Sequence, residues 1–453
     1  MDNIQILEQI KSYNPWHSNE SRQFSTEKKS RDLFDTLVNS YLDQDISISI
    51  SGLRRVGKTT ILHQLINYFL QQGINPQKIF YFQFNAESKD LATTLQLFFD
   101  KFSISELQQD NFYILLDELQ NIKSWQNTLK HYIDRNKKIK FIVTGSTSIY
   151  AQKNIESLAG RIIDFRLAPL SFDEFLRLGY GYQSQFNLRK IFLSSYNLET
   201  KKMLDELLYQ KINYRKYFQV YLSFGEYPAL LNSLDNTLFA TTYLKKSILE
   251  KILEKDIKIF EIKKEKEVRD LFRIACANSA QSINYREISR QTAISYYHIK
   301  EKFNILEKIY LVDLVKNHLS SIRSQIGSQD KVFCNSLNLL NATLNIDDPL
   351  NPTHTAFRGH VIETYVYNAI KSLGQVFYFL KNKKEVDLIL EIKNKIIPIE
   401  VKSKNKLKKT DLNHLFFYMK KNKLAVGYVV YGGDIIKVEK EDMTVYAFPY
   451  WLL

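Results

Sequence analysis

Cysteine is scarce in this sequence, which limits the chemistry and the compartment to be expected. Only Cys276 and Cys334 occur, far apart along the chain, so a disulfide framework is not expected and a reducing, cytoplasmic environment fits. The eight histidines occur singly, with no second histidine or cysteine at metal-ligand spacing. A zinc site is therefore not expected either.

Long apolar runs are also missing. No stretch reaches the length of about 18 apolar residues that a membrane-spanning helix needs. Residues 1–17, MDNIQILEQIKSYNPWH, lack the basic-then-apolar pattern of a signal peptide. We therefore expect a soluble protein without a membrane partner.

Acidic residues are outnumbered by basic ones. The sequence contains 49 Asp and Glu residues and 63 Lys and Arg residues, which gives a net charge of +14. Such an excess favours a polyanionic partner such as DNA, and a generally basic surface is the alternative. The 453 residues suffice for roughly two to four domains with sizeable cores.

A phosphate-binding loop is the clearest motif that is present. Residues 52–59, GLRRVGKT, fit the pattern G-x-x-x-x-G-K-[ST], in which backbone N–H groups surround nucleotide phosphates. Residues 46–51 predict a strand before the loop, and residues 60–70 predict a helix whose N-terminus faces the anion. Lys58 would reach the β- and γ-phosphates of ATP, and Thr59 would bind Mg²⁺.

Strands and helices alternate after the loop, which predicts a doubly wound parallel α/β sheet. The further strands are predicted at residues 79–84, 112–116, 141–144 and 162–165. The second ends in Asp117 and Glu118, a Walker B pair in which Asp117 would hold Mg²⁺ and Glu118 would orient or deprotonate the attacking water. After the third, Thr144 or Ser146 would sense the γ-phosphate, unless Ser146 only caps the next helix.

Arg161 ends a glycine turn, SLAGR at residues 157–161, before the last predicted strand. It would stabilise charge on the transferring phosphoryl group, either from the same subunit or from a neighbour in a homo-oligomer. The residues predicted to bind ATP are Gly52, Arg54, Arg55, Val56, Gly57, Lys58, Thr59, Thr60 and Thr144, with Thr59 and Asp117 on Mg²⁺ and Glu118 and Arg161 in catalysis.

The segments GLRRVGKTT, LLDELQ, VTGSTS and SLAGRIIDFRLAPLSFDEF, in that order, resemble prokaryotic AAA-type ATPases of the archaeal-ATPase group. Residues 14–16 (NPW) and 224–228 (FGEYP) are similar to that family's signatures, although Glu226 stands where the family more often has a second glycine. The resemblance covers nearly the whole chain. It implies an ATPase core, a helical lid and a C-terminal region of unassigned function. It makes Arg161 the arginine finger or sensor, and leaves Trp16 either at the adenine site or in the core.

The middle of the chain is predicted to be helical. Residues 179–265 carry Tyr and Phe at helical spacing, as expected for a packed lid. Residues 284–307 have the spacing of a helix-turn-helix, and residues 309–323 would supply the wing of a winged helix. This module would contact DNA, or serve as a protein-binding module or rigid spacer. The second helix would present Tyr296, Tyr297, His298, Lys300 and Lys302 to DNA.

Near the C-terminus, residues 384–402 predict a β-hairpin that brings Asp387, Glu400 and Lys402 to one end of a sheet. Asp387 and Glu400 would bind Mg²⁺ or Mn²⁺ while Lys402 orients or activates water beside a scissile phosphate. With Glu363 from a predicted helix, they resemble the PD-(D/E)xK nuclease fold of restriction enzymes and junction resolvases. A surface hairpin with solvated charges and a domain that grips DNA without cutting are the alternatives.

The expected architecture is a P-loop ATPase core of the AAA type (1–178), a helical lid (179–265), a winged-helix domain (266–325) and a restriction-endonuclease-like α/β domain (326–453). The expected function is ATP hydrolysis coupled to DNA engagement, extended to metal-dependent phosphodiester cleavage if the C-terminal domain is catalytic. The alternative is an ATP-driven switch or assembly factor whose C-terminal domain binds DNA or protein without cutting.

Overall fold

The computed structural model describes residues 2–18, 23–25, 29–85, 87–88, 90–101, 111–147, 158–182, 192, 211–260, 262, 264–351 and 355–453. Ser148 and Ser157 of the predicted ATP-site segments, and residues 183–191 and 193–210 of the predicted lid, lie outside the described residues. The chain divides into two compact units. The first is Met1–Ala168, Lys255–Glu261 and Lys308–Tyr310, and the second is Pro169–Glu254, Ile262–Glu307 and Leu311–Leu453.

The first unit is built on a sheet of five parallel strands in the described part of the chain. Its strands are β1 (Ser47–Ser51), β2 (Ile79–Gln83), β3 (Phe112–Asp117), β4 (Ile139–Gly145) and β5 (Ile162–Arg166). Its helices are α1 (Asn3–Tyr13), α2 (Asp32–Ser40), α3 (Lys58–Gln71), α4 (Leu91–Lys101) and α5 (Trp125–Arg135). The strand order is β2-β3-β4-β1-β5 with every pair parallel, which confirms the predicted parallel α/β sheet.

β1 is rich in serine although all its residues are buried. The Ser51 hydroxyl donates to Asp164 Oδ2 on β5 at 2.8 Å, and Ser47 Oγ accepts from the Phe141 N–H on β4 at 3.3 Å. Hydrogen bonds of this kind offset the cost of burying hydroxyl groups. Because β4 lies between β1 and β3 and the strands are parallel, the C-terminal ends of these three strands lie side by side.

The second unit begins with helices and continues with two sheets. Its helices are α6 (Phe172–Tyr180), α7 (Lys211–Phe224), α8 (Thr237–Thr242), α9 (Glu265–Ala277), α10 (Tyr285–Thr292), α11 (Tyr296–Lys308), α12 (Ile322–Gly327), α13 (Leu337–Leu344), α14 (Thr355–Ile370) and α15 (Asn413–Lys421). Its strands are β6 (Gln281–Ser282), β7 (Val312–Val315), β8 (Lys331–Cys334), β9 (Gln375–Lys381), β10 (Lys384–Ile392), β11 (Lys395–Val401), β12 (Val426–Tyr431), β13 (Ile436–Lys440) and β14 (Met443–Pro449). Wider π-helical turns follow α8 at Tyr243–Leu249 and Ile252–Asp256, and the last two residues of the second turn belong to the first unit. None of the helices in the described ranges is both long and apolar enough to cross a membrane.

A small antiparallel sheet accompanies α9, α10 and α11. The chain order is α9, β6, α10, α11, β7, α12 and β8, and the strand order is β6-β8-β7. Helices α10 and α11 lie where the sequence predicts a helix-turn-helix, and Ala293 turns the chain between them with φ 56°. β8 lies beyond the predicted domain boundary at residue 325, yet it pairs with both β6 and β7. The small sheet is therefore completed by a segment that the sequence analysis assigned to the C-terminal domain.

The larger sheet of the second unit has the order β13-β14-β12-β11-β10-β9. β10 and β11 form the predicted antiparallel hairpin, with Leu388 opposite Ile399. β10 carries a bulge between Val386 and Ile389, which interrupts the regular alternation of side chains around Asp387. Helix α15 packs its apolar side chains into the core of this sheet.

Candidate functional site

The P-loop follows β1 in a conformation that needs its glycines. Gly52 has φ 147°, and a Cβ at this position would lie 2.2 Å from the carbonyl oxygen of Leu167. Gly57 has φ 103° and immediately precedes α3. The first N–H groups of α3 have no partner within the helix, so they are placed to bind an anion. Among the other predicted ATP contacts of this segment, Val56 is buried and Arg55 and Thr60 are exposed.

Lys58 is buried at the start of α3. Its Nζ donates to the carbonyl oxygens of Gly52 and Leu53, each at 2.8 Å. Burial lowers the pKa of Lys58, and the charges of Glu118 and Asp256 oppose that shift. A buried ammonium bound by neutral carbonyls retains the capacity to attract a nucleotide phosphate.

Asp117 is the last residue of β3, and its carboxylate accepts hydrogen bonds from hydroxyl groups of the P-loop segment and of the sensor strand β4. The Thr59 hydroxyl donates to Oδ2 at 2.7 Å, and the Thr144 hydroxyl donates to Oδ1. Tyr81 Oη also donates to Oδ2, at 3.3 Å. Burial raises the pKa of Asp117, and the threonine hydrogen bonds oppose the shift. Hydroxyl and carboxylate oxygens suit Mg²⁺, so Thr59 and Asp117 fit the ion that accompanies ATP at a P-loop.

Glu118 is held beside Thr144. Its N–H donates to Thr144 Oγ1 at 3.1 Å, and its backbone has φ 57°. Gln120, which the sequence analysis did not select, donates from Nε2 to Glu118 Oε2 at 2.5 Å. Gln120 Oε1 accepts from the Ser146 N–H at 3.3 Å. Glu118 is thereby connected to the end of β4, where both predicted sensor residues lie.

Asp256 brings a further carboxylate to this site. It is 1% exposed and belongs to the same compact unit as the P-loop. Arg54 Nε donates to Asp256 Oδ2 at 2.9 Å, and Arg54 Nη2 donates to Oδ1 at 2.5 Å. The Ser146 hydroxyl donates to Oδ1 at 2.8 Å. Sequence reasoning missed Asp256 because it lies in a helical stretch, EKDIKIF, that contains no motif.

Arg161 and Trp16 lie away from the P-loop. The carbonyl oxygen of Arg161 accepts from the Ser47 N–H, at the start of β1, whereas the P-loop follows the other end of that strand. At ~3.3 Å per residue, the length of β1 separates them by roughly 16 Å. Arg161 Nε instead donates to Asp134 at 2.6 Å, so this geometry argues against a role within its own subunit. Trp16 is fully buried and donates to the carbonyl oxygen of Ile79 at 3.1 Å, which is core packing.

Helix α11 exposes most of the residues predicted to face DNA and buries one of them. The exposed residues are Tyr296, Tyr297, His298 and Lys300. Lys302 is buried, and its Nζ lies 3.0 Å from Glu267 Oε2. The expectation that Lys302 faces DNA is therefore wrong, because its ammonium is used in an ion pair inside the unit.

The four residues predicted for the C-terminal site lie close together. Lys402 Nζ is 2.5 Å from Glu400 Oε1 and 3.8 Å from Asp387 Oδ2. Asp387 Oδ2 also accepts from the Val401 N–H at 2.7 Å. Glu363 comes from α14, and burial together with the charge of Asp387 raises the pKa of Glu363 to about 8. Burial also raises the pKa of Glu400, so the cluster holds more carboxylates than it can easily keep ionised.

Two residues that the sequence analysis did not select complete this cluster. Lys331 on β8 places Nζ 2.5 Å from Glu363 Oε1 and 2.9 Å from Glu385 Oε1. Within the described ranges, no group of three or more His, Cys, Asp or Glu side chains is arranged to hold a metal ion. The binding of Mg²⁺ or Mn²⁺ by Asp387 and Glu400 therefore stays a prediction.

Three parts of the chain match known protein families. Residues 44–176 match the AAA domain. Residues 215–350 and 358–453 each match a domain of unknown function, DUF8612 and DUF4143 respectively. The match to the AAA domain covers the P-loop, the Walker B strand and the sensor strand.

Two relatives are uncharacterized proteins of Methanocaldococcus jannaschii. One is 28% identical over 306 residues, which cover 64% of this chain and 62% of the relative, so the match spans less than two thirds of that protein. The other is 23% identical over 425 residues, which cover 89% of this chain and 86% of the relative.

Solved structures give weaker likenesses. The Aeropyrum pernix Orc1 protein in complex with DNA is 11% identical, with 69% of this chain and 90% of that chain covered and a TM-score of 0.29. A score this low carries no argument about function. The family match and the parallel sheet agree that residues 44–176 resemble an AAA domain and have the sheet of a P-loop ATPase fold, and this resemblance implies ATP and Mg²⁺ as ligands.

Proposed function

We propose that this protein hydrolyses ATP and uses its nucleotide state to control how it engages DNA. The observation that carries ATP hydrolysis is the convergence of Thr59 and Thr144 on Asp117, beside the buried ammonium of Lys58. This convergence joins the phosphate-binding loop, the Walker B strand and the sensor strand. These are the parts that phosphoryl transfer to water requires.

Each of these residues has a task in the proposed reaction. Lys58 and the first N–H groups of α3 bind the phosphates, and Thr59 and Asp117 hold Mg²⁺, which neutralises phosphate charge when it is bound. Glu118 orients the attacking water or accepts its proton. Thr144 fixes the backbone of Glu118, so it acts as a positioning residue.

Arg161 enters the proposal only as a residue that acts on a neighbouring subunit. It lies at the edge of the sheet opposite the P-loop and pairs with Asp134 at a partly exposed position. An arginine at such a position is accessible to a second copy of the chain, where it would stabilise charge on the transferred phosphoryl group. A homo-oligomer is therefore part of the proposal.

The proposed DNA-engaging part runs from α9 to β8. Its order of helices and strands, with the strand order β6-β8-β7, supports a winged helix that extends beyond the predicted boundary. On α11, Tyr297 and Lys300 offer an exposed ring and an exposed charge to a nucleic acid. The net charge of +14 is in keeping with a polyanionic partner. An ATPase core, a lid before α9 and a nuclease-like domain after β8 complete the proposed organisation.

The segment Lys255–Glu261 would couple nucleotide binding to DNA binding. It belongs to the first unit, whereas the chain before and after it belongs to the second. Asp256 in this segment binds Arg54 of the P-loop. A nucleotide that changes this ion pair would therefore act on a segment whose flanking chain belongs to the other unit.

Phosphodiester cleavage by the C-terminal domain is the second candidate. The proximity of Asp387, Glu400 and Lys402 favours it, because this is the residue set that the nuclease resemblance implies. The two candidates agree on ATP hydrolysis. They differ in whether this cluster takes a divalent metal.

ATP turnover by the wild type, Lys58→Ala and Glu118→Gln tests the proposed hydrolysis. Lys58→Ala removes the charge that binds the phosphates, so turnover should fall to background. Glu118→Gln keeps the shape of the site, so ATP should still bind while hydrolysis becomes slow. Unchanged turnover in Lys58→Ala would refute the assignment, and loss of ATP binding in Glu118→Gln would show that Glu118 is structural.

A further inference from the structure

A buried lysine lies inside the carboxylate cluster of the second unit. Lys331 is 2% exposed, and its ammonium contacts Glu363 at 2.5 Å and Glu385 at 2.9 Å. The rings of Phe333 and Tyr378 lie 5.9 Å and 5.7 Å from the same nitrogen. A buried ammonium is tolerated only where opposite charge accompanies it. The contacts with Glu363 and with the partly exposed Glu385 therefore account for the burial of the Lys331 ammonium.

A second lysine contacts the other two carboxylates of the cluster. Lys402 contacts Glu400 Oε1 at 2.5 Å and lies 3.8 Å from Asp387 Oδ2, which also accepts the Val401 N–H. Glu400 Oε2 is buried and has no hydrogen-bond partner among the described residues. Glu400 Oε2 would supply a metal ion with one ligand atom. The other oxygen of Glu400, Oε1, already contacts the Lys402 ammonium.

A divalent ion does not fit this arrangement. Mg²⁺ takes about six oxygen ligands at roughly 2.1 Å in near-octahedral geometry. An ion that took Glu363 Oε1 as a ligand would have to displace the Lys331 ammonium, which lies 2.5 Å from that oxygen. The buried ammonium would then lie beside a divalent cation with less carboxylate to neutralise it, which is electrostatically unfavourable.

We propose that Lys331 is the resident cation of this cluster and excludes Mg²⁺ and Mn²⁺ from it. The lysine is attached to the chain, so it occupies its position without the loss of freedom that binding a free ion costs. Without a divalent ion the cluster lacks the metal that phosphodiester cleavage requires, so this inference argues against the second candidate function. This inference concerns the second unit alone, so its failure would leave the proposed ATP site untouched.

Binding of Mn²⁺ to the full-length, nucleotide-free protein tests the proposal. Free Mn²⁺ is measured by electron paramagnetic resonance, and every protein carries Asp117→Asn to remove the carboxylate at the ATP site. We expect no Mn²⁺ site in this background, about one site per chain after Lys331→Gln, and none again after the further change Asp387→Asn. Lys331→Arg keeps the positive charge and is the matched control, which should bind no Mn²⁺.

Two results would overturn the proposal. One is a Mn²⁺ site in the background protein that Asp387→Asn removes, and the other is a folded Lys331→Gln protein that binds no Mn²⁺. Circular dichroism establishes that each variant is folded. If Lys331→Gln does not fold, Lys331→Met replaces it, and the background protein still provides a test that needs no change at Lys331.

Discussion

The guanidinium of Arg54 donates two hydrogen bonds to the carboxylate of Asp256, from Nε to Oδ2 at 2.9 Å and from Nη2 to Oδ1 at 2.5 Å. The two residues are 202 positions apart, and Ser146 donates its hydroxyl to the same carboxylate. One buried acid therefore joins the P-loop to the end of the sensor strand. The charge of Asp256 also acts to raise the pKa of Lys58, so this carboxylate is close enough to repel a nucleotide phosphate bound at the P-loop.

Neutralising this acid should strengthen ATP binding. In Asp256→Asn, Arg54 keeps its positive charge for the phosphates and a negative charge is lost from the site. The expected gain in ATP affinity is roughly fivefold, equivalent to about 1 kcal/mol. Titration with a fluorescent ATP analogue measures it. Asp411→Asn is the matched control, since it breaks an ion pair with Lys404 in the second unit. Weaker ATP binding in Asp256→Asn would mean that the acid orients Arg54 for ATP instead.

Removing the sensor hydroxyl should slow hydrolysis without weakening ATP binding. Thr144→Val loses the hydrogen bond to Asp117 and the acceptor for the Glu118 N–H. Losing hydrogen bonds to a charged group suggests a fall in kcat of about tenfold to a hundredfold. Steady-state kinetics and ATP titration separate the two effects. Thr94→Val is the control, because the buried Thr94 hydroxyl donates locally, to the carbonyl of Asp90 just before α4. An unchanged kcat would contradict the sensor role.

Two lysines on α11 should differ in their effect on DNA binding. Lys300 is exposed, so Lys300→Ala should weaken binding and lower the slope of log affinity against log salt by about 1. Lys302 is buried against Glu267, so Lys302→Gln should leave the slope unchanged. Fluorescence anisotropy with duplex DNA at several salt concentrations measures both slopes. Equal slopes in the two variants would show that α11 does not contact phosphates through Lys300.

Glu226 should make stability depend on pH. Its carboxylate accepts from the Ser336 hydroxyl at 2.6 Å and from the N–H groups of Leu337 and Asn338, at 3.0 Å and 2.9 Å, at the start of α13. Burial nevertheless raises the pKa of Glu226 from 4.5 to about 6. The folded state therefore holds this proton more tightly than the unfolded state, so the contribution to stability is present below pH 4.5 and is lost as the pH rises through about 6.

Urea unfolding of the wild type and Glu226→Gln checks this linkage. Between acidic and neutral pH, the wild type should lose about 2 kcal/mol of unfolding free energy relative to Glu226→Gln. The hydrogen bonds that the substitution changes add an offset that does not depend on pH. A difference between the two proteins that is the same at every pH would rule out the raised pKa.

Much of the first unit was predictable because nucleotide chemistry demands residues at set spacings. The glycines of the P-loop, Lys58 and Thr59 are consecutive in sequence, so their chemistry is visible without a structure. Asp117 and Glu118 end an apolar strand, which places them at the sheet edge where the P-loop lies. The hairpin of β10 and β11 was also predictable, because two strand-like segments flank a short turn in the sequence.

The partners that arrive from distant parts of the chain were not predictable. Asp256 and Lys331 are surrounded in sequence by ordinary helical and strand residues, and only the fold brings them to Arg54 and Glu363. The one available signal for Lys331 was a charged residue at the start of the short apolar strand KVFC. The burial of Lys302 depends on a contact between helices that periodicity alone does not reveal.

The dependence of DNA affinity on nucleotide tests the central claim most directly. DNA binding is measured for Glu118→Gln, which should hold ATP without consuming it, and for Lys58→Ala, which should not hold ATP. Coupling predicts that ATP changes the DNA dissociation constant of Glu118→Gln by at least about fivefold and leaves that of Lys58→Ala unchanged. The same DNA affinity with and without ATP in Glu118→Gln would contradict the account.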